Sequence, residues 1–301
     1  MAKYNPKDWF GLIFEFHKSD TLRKLIYVLL VYGLYAGAIV YLELHYTNFK
    51  STISIHSLLG FVIGLLLVFR TNTAYDRWWE GRKVLGALVN TSRNLALKYH
   101  TFSNSLKTTE KKAFAELISN YVFSMKNHLR DKVIAEEISF NEKMNEKEYI
   151  QTNHKPNLVA GKLYQCVKNL HDEKQISGEV YITIDQQLKE FTDIVGKCER
   201  IKKTPIPRSY NIFLKKFIFI YTFTLPLGLA TTFFYWAIPI SMFVLYILAS
   251  LELLAEEIEN PFGEDSNDLP VDDICNTIKS NVEEILICLL YTSDAADEPS
   301  S

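Results

Sequence analysis

Four cysteines, a formal net charge of −2 and the lack of any basic tract exclude several common roles for this 301-residue chain. Cys166, Cys198, Cys275 and Cys288 have no metal-ligand spacing and read as reduced thiols in helices, not as a disulfide frame. The near-neutral charge leaves no footprint for nucleic acid, so none is expected as a partner. No phosphate loop, HExxH or paired metal motif occurs, and spacing brings no Ser, His and carboxylate set together. An enzyme is therefore not expected, and no cofactor is required. The opening residues, with Lys3, Asp8 and Trp9, lack the basic, apolar and small-residue order of a cleaved signal, so the first apolar run is expected to be retained.

The mean hydropathy is near zero, yet it averages over two pairs of long apolar runs, 25–44 with 53–69 and 217–235 with 238–251. Each is near the roughly 17 to 25 residues that cross about 30 Å of hydrocarbon. Backbone groups in lipid must bond within their own segment, so the runs read as helices. Lys18, Arg23 and Lys24 precede the first; Arg70, Arg77, Arg82 and Lys83 follow the second; Lys215 and Lys216 precede the third. The connections at 45–52 and 236–237 carry only Lys50 between them. By the positive-inside rule the basic ends are cytoplasmic. The expectation is an all-α polytopic membrane protein with four transmembrane helices, a large cytoplasmic helical domain and both termini in the cytoplasm. A soluble enzyme with two buried hairpins is the alternative, and needs all these features to coincide.

Five segments follow: 1–83 as an N-terminal stretch and first hairpin, 84–209 as the helical domain, 210–257 as the second hairpin, 258–290 as an acidic loop and last helix, and 291–301 as an unstructured tail, open to a non-native origin, with no function assigned. In the middle, Phe114, Leu117, Ile118, Tyr121, Val122, Met125 and Leu129 recur at helical spacing. Leu163, Val167 and Leu170 form a second stripe; Ile184, Leu188, Phe191 and Val195 form a third. Pro226 is expected to bend the third run. A last helix is expected over 271–290, with Ile274, Ile278, Val282 and Ile285 on one side.

Ionisable residues at mid-membrane mark ion-coupled carriers and proton relays, and these runs hold almost none. His56, near one end of the second run, reads as an interfacial hydrogen-bonder. Phe61, Leu65 and Phe69 are spaced by four, with Ser57 one turn earlier, and give one apolar line on a helix face. In a single chain that line is helix packing; repeated around an axis it is a constriction that gates by dewetting. The segment 70–82 is dense in aromatic and charged residues. Arg77, Trp78, Trp79 and Arg82 read as an interfacial anchor to membrane lipid.

Leu59-Gly60-Phe61, the 70–82 segment with its Asp-Arg-Trp-Trp-Glu, Pro205-Ile206-Pro207, Asn260-Pro261-Phe262-Gly263-Glu264-Asp265 and Asn267-Asp268-Leu269-Pro270 together resemble the bestrophin ion channel family, in particular its bacterial branch. The resemblance extends through Leu290. It implies a homopentamer around one ion pathway in the bacterial inner membrane, with Phe61, Leu65 and Phe69 as an apolar pore neck. In animal relatives a calcium clasp follows Asn-Pro-Phe-Gly, and Asp265 and Asp268 match its carboxylates; Ser266 and Asn267 interrupt the fuller acidic run. The same acids suit a helix cap or a pairing with Arg77 or Arg82. Glu179 stands near a position where bacterial relatives place an apolar residue at the cytosolic aperture. As a ring of five it would favour cations; alone it is a solvated helix-start glutamate. The expected function is a channel for small monovalent ions, sodium or potassium first, with a chloride or other anion channel as the alternative and a secondary carrier behind it.

Overall fold

The computed structural model describes residues 20–46, 53–102 and 106–288. The expectations for Lys3, Asp8, Trp9, Lys18, Lys50 and the 291–301 tail lie outside these residues. In chain order the helices are α1 (Asp20–His45), α2 (Ile53–Phe102), α3 (Thr108–Leu129), α4 (Glu146–Gln151), α5 (Lys155–Asp172), α6 (Gly178–Lys203), α7 (Arg208–Phe233), α8 (Ala237–Glu259) and α9 (Val271–Glu283). A π turn, Glu284–Cys288, continues α9. Among the described residues the β pairing is limited to an isolated bridge between Asn141 and Met144.

The chain divides into two compact units, the described residues of Met1–Trp78 with Pro205–Asn260, and those of Trp79–Thr204 with Pro261–Ser301. In the first, α1 packs on α7 and α8. Ile63 and Leu67 of α2, Leu214, Ile218, Tyr221 and Leu225 of α7, and Leu248 of α8 share one core. The outer faces stay apolar and exposed, as at Leu34, Phe219 and Phe243, which suits lipid and not water.

The expectation of four transmembrane helices is corrected here: among the described residues three helical stretches, Thr21–His45, Ser54–Phe102 and Arg208–Glu259, are long and apolar enough to cross a membrane. The runs 217–235 and 238–251 belong to a single stretch because no polar loop separates them. A 3-10 turn at Phe234–Trp236 is the whole connection. Phe234 takes a φ of 51°, a conformation that L-residues rarely adopt. Ala230 and Ala237, either side of that turn, pack with Val40 of α1. With three stretches, the even-count argument that put both termini on one side no longer applies.

The second unit is helical, and its core includes the three stripes together with Leu85, Leu88 and Leu95 of α2 and Cys275, Ile278 and Val282 of α9. Phe114, Leu117, Ile118, Tyr121, Val122, Met125 and Leu129 are buried on α3, as are Leu163, Val167 and Leu170 on α5 and Ile184, Leu188, Phe191 and Val195 on α6. Side-chain caps start α4, α5 and α6. Asn145 accepts from the amides of Lys147 and Glu148, His154 from that of Asn157, and Ser177 from that of Val180. Cys166, Cys198 and Cys275 are buried free thiols. Burial pushes Cys198 and Cys275 up to about 12, so both stay protonated and unreactive.

Candidate pore helix and its charged support

Helix α2 runs unbroken for 50 residues, well past the end of its apolar run at Phe69. Two faces of its first half differ sharply. Ile63 and Leu67 are 1% and 2% exposed, whereas Phe61, Leu65 and Phe69 are 71%, 47% and 57% exposed. The core thus uses one side of the helix and leaves the apolar line on the other. Gly60 permits the close approach of α7, because a Cβ there would lie 2.9 Å from the Tyr221 hydroxyl oxygen.

Arg70 ends the apolar run without ending the helix, because its charge is neutralised where it stands. The guanidinium is buried; its Nη2 donates to Glu259 Oε2 at 2.7 Å, and its Nε lies 3.6 Å from Glu252 Oε2. The other Glu259 oxygen accepts from the Ile206 amide at 2.8 Å. Arg77 Nε donates to the Glu259 carbonyl at 3.1 Å. Lys24 pairs with Glu257 at 2.9 Å and Lys215 with Glu256 at 3.0 Å. Lys24, Arg70, Arg77 and Lys215, four of the basic residues flanking the apolar runs, therefore meet the acidic end of α8, while Arg70 Nη1 and both Glu252 carboxylate oxygens are buried without a hydrogen bond. Sequence reading took the basic residues as topological marks only; the pairings span far-apart positions and leave no local signature.

Of the other anchor residues, Trp78 is half-buried, and Trp79 and Arg82 are exposed. Trp78 stacks with Tyr75 at 6.1 Å between ring centres. Trp79 and Arg82 line a shallow groove along α2 with Lys83, Gly86 and Asn90. Gly81 lies against the Asn-Pro-Phe-Gly loop, where a Cβ would be 3.1 Å from Pro261 and 3.2 Å from Leu269.

Within the acidic loop, Asp268 Oδ2 accepts from the Asp265 amide at 2.7 Å, and the Asp268 amide donates to the Asp265 carbonyl at 3.1 Å. Glu264 pairs instead with Lys132 at 2.6 Å and lies 3.6 Å from Arg130. Among the described residues, no group of three His, Cys, Asp or Glu ligands includes Asp265 or Asp268. Calcium takes six to eight oxygens, backbone carbonyls among them, and these two carboxylates would supply a fraction of that shell. Elsewhere in the second unit His128, His154 and Glu199 bring three ligand atoms within 4.8 Å of one another. Sequence reading did not single out this cluster, because its members are 45 and 71 residues apart and form no motif.

Glu179 is exposed in the first turn of α6. A hydrogen bond from the Ser177 side chain and one from its own amide hold its carboxyl below the usual range, so it is ionised at neutral pH.

Comparison with known proteins places these features. The family described as bacterial and fungal bestrophin proteins matches residues 1–284. A voltage-dependent anion channel-forming protein of Nostoc sp. is 34% identical over 287 residues, covering 93% of this chain and 92% of its own length. A protein of the same description from Escherichia coli is 31% identical, with 97% and 94% covered. The crystal structure of a bacterial bestrophin homolog from Klebsiella pneumoniae superposes with a TM-score of 0.80 at 26% identity, covering 87% of this chain and 98% of that one. With motifs, fold and nearly the full length in agreement, the chain belongs to the bestrophin family of membrane channels, a transport class and not a catalytic one.

Proposed function

We propose that the chain assembles as a homopentameric channel in a bacterial inner membrane and passes small monovalent anions, chloride among them, down their gradient. The observation that carries this reading is the end-to-end match to relatives described as voltage-dependent anion channel-forming proteins. The exposed line of Phe61, Leu65 and Phe69 supports it. Five such lines around an axis make an apolar neck that controls passage by wetting, with no charge to select ion sign. Arg77, Trp78, Trp79 and Arg82 hold the far end of that stretch at the headgroup level.

A cation pathway is the second reading, and the exposed, ionised Glu179 favours it. A ring of five carboxylates at an aperture would concentrate cations and repel anions. Reversal potentials of the purified protein in planar bilayers, under a potassium chloride gradient, separate the two. A reversal at the chloride equilibrium value is expected. Reversal at the potassium value, shifted toward zero by Glu179→Gln, establishes the cation reading instead. Strictly coupled transport with no unitary conductance, or a monomeric or dimeric mass in the membrane, would refute the channel itself.

A further inference from the structure

We infer that His128, His154 and Glu199 form an exchangeable binding site for a divalent transition-metal ion of the zinc class. The three side chains come from separate elements: the last turn of α3, the N-cap of α5 and the last third of α6. Both imidazoles aim the same atom at one carboxylate oxygen, His128 Nε2 at 2.5 Å and His154 Nε2 at 3.0 Å from Glu199 Oε1. Their ring centres are 4.6 Å apart. An ion about 2.0 to 2.2 Å from each ligand holds its donors about 3 Å apart, close to the two nitrogen–oxygen separations already present.

The donor set decides the class of ion. Two imidazole nitrogens and one carboxylate suit zinc, cobalt, nickel or copper, whereas calcium and magnesium take oxygen almost throughout. All three side chains are partly open to solvent, which leaves water to complete the coordination. The surrounding cations do not block the site. Lys203 lies 3.5 Å from the other Glu199 oxygen on an exposed, flexible stem. Lys202 is paired with Asp131 and Arg200 with Glu80.

Loading has a structural consequence at the start of α5. His154 Nδ1 accepts the Asn157 amide at 3.2 Å, which puts the ring proton on Nε2, donated to Glu199. A metal on Nε2 displaces that proton to Nδ1, so a neutral imidazole releases none, and the Asn157 amide loses its acceptor. Coordination thus ties the N-cap of α5 to α3 and α6 while undoing the cap bond.

Titration of the chelator-treated full-length protein in detergent with zinc chloride, and separately with calcium chloride, tests the site. One zinc per chain is expected, with no calcium equivalent and with faster hydrogen exchange at the Asn157 amide on loading. His128→Ala and Glu199→Gln should weaken zinc binding by more than about 100-fold, the upper end of what losing even an outer-shell partner costs. His154→Asn keeps a side-chain acceptor for the cap, so it preserves the helix start while removing the ligand. It decides the matter if either other variant fails to fold. Zinc binding unchanged in His154→Asn, no zinc binding by the unaltered protein, or equal binding of calcium would overturn the assignment.

Discussion

A proline inside an apolar helix frees the carbonyl four residues earlier, and in hydrocarbon no water is present to take it up. Helix α7 nevertheless continues through Pro226 to Phe233. The Tyr32 hydroxyl donates to the Thr222 carbonyl and the Tyr35 hydroxyl to the Phe223 carbonyl, both at 2.8 Å. Tyr32→Phe should therefore cost about 1 to 3 kcal/mol, the range for an orphaned buried acceptor. The loss should shrink in a Pro226→Ala background, where residue 226 regains an amide for the same carbonyl. A double-mutant cycle in detergent unfolding measures that coupling; equal losses in both backgrounds would refute the role. Arg70 makes a stronger claim at the same scale. Arg70→Met leaves Glu252 and Glu259 buried without their guanidinium and should destabilise the protein by about 3 to 5 kcal/mol, read from the thermal midpoint of assembly.

At the scale of elements, the sequence showed much and misled in one respect. The stripes of α5 and α6 were legible because each helix buries one face, and burial writes a 3.6-residue period into the chain; α3 is buried on nearly every side from Leu117 to Asn127, so its apolar stripe marks only part of what it buries. Ile278, Val282 and Ile285 are buried as expected, although α9 itself ends at Glu283 and gives way to the π turn. The continuity of α2 past Arg70 was not legible, because it depends on a glutamate 189 positions away. The joining of the last two apolar runs was missed for a different reason. An apolar run marks where a helix is buried in lipid and says nothing of whether a turn or a loop ends it.

Two predictions belong to elements. Alanine normally stabilises a mid-helix glycine site by roughly 1 kcal/mol. Gly81→Ala should reverse that sign, because Pro261 and Leu269 stand within 3.2 Å of the new Cβ. The second concerns α3 and α9. Asp272 accepts from Lys126 at 3.0 Å and pairs with Arg130 at 2.8 Å. Burial raises its pKa, but the hydrogen bonds from Lys126 and Arg130 outweigh burial and bring it below the ordinary 3.8. A depressed carboxyl pKa stabilises the fold above its unfolded value and loses that contribution as pH falls through the folded one. Chemical unfolding followed below pH 3.8 should show the loss, and Asp272→Asn should flatten that limb of the profile.

On the scale of the whole molecule, the apolar line of α2 carries the largest claim. Phe61, Leu65 and Phe69 contribute nothing to the packed face of α2 within one chain, so their side chains are free to serve an assembly. Mutating them should therefore leave the subunit's fold nearly untouched. A buried aromatic or leucine would instead cost about 2 to 5 kcal/mol on truncation to alanine. That contrast makes the neck testable without presupposing conduction. Phe61→Ala/Leu65→Ala/Phe69→Ala should keep its thermal midpoint and its mass in detergent, while conductance or open probability in planar bilayers rises as the constriction widens and wets. Intact assembly with unchanged current would return the trio to lipid-facing packing. A large loss of stability or of oligomer mass would make them an interface between subunits, and the constriction would have to be sought elsewhere along α2.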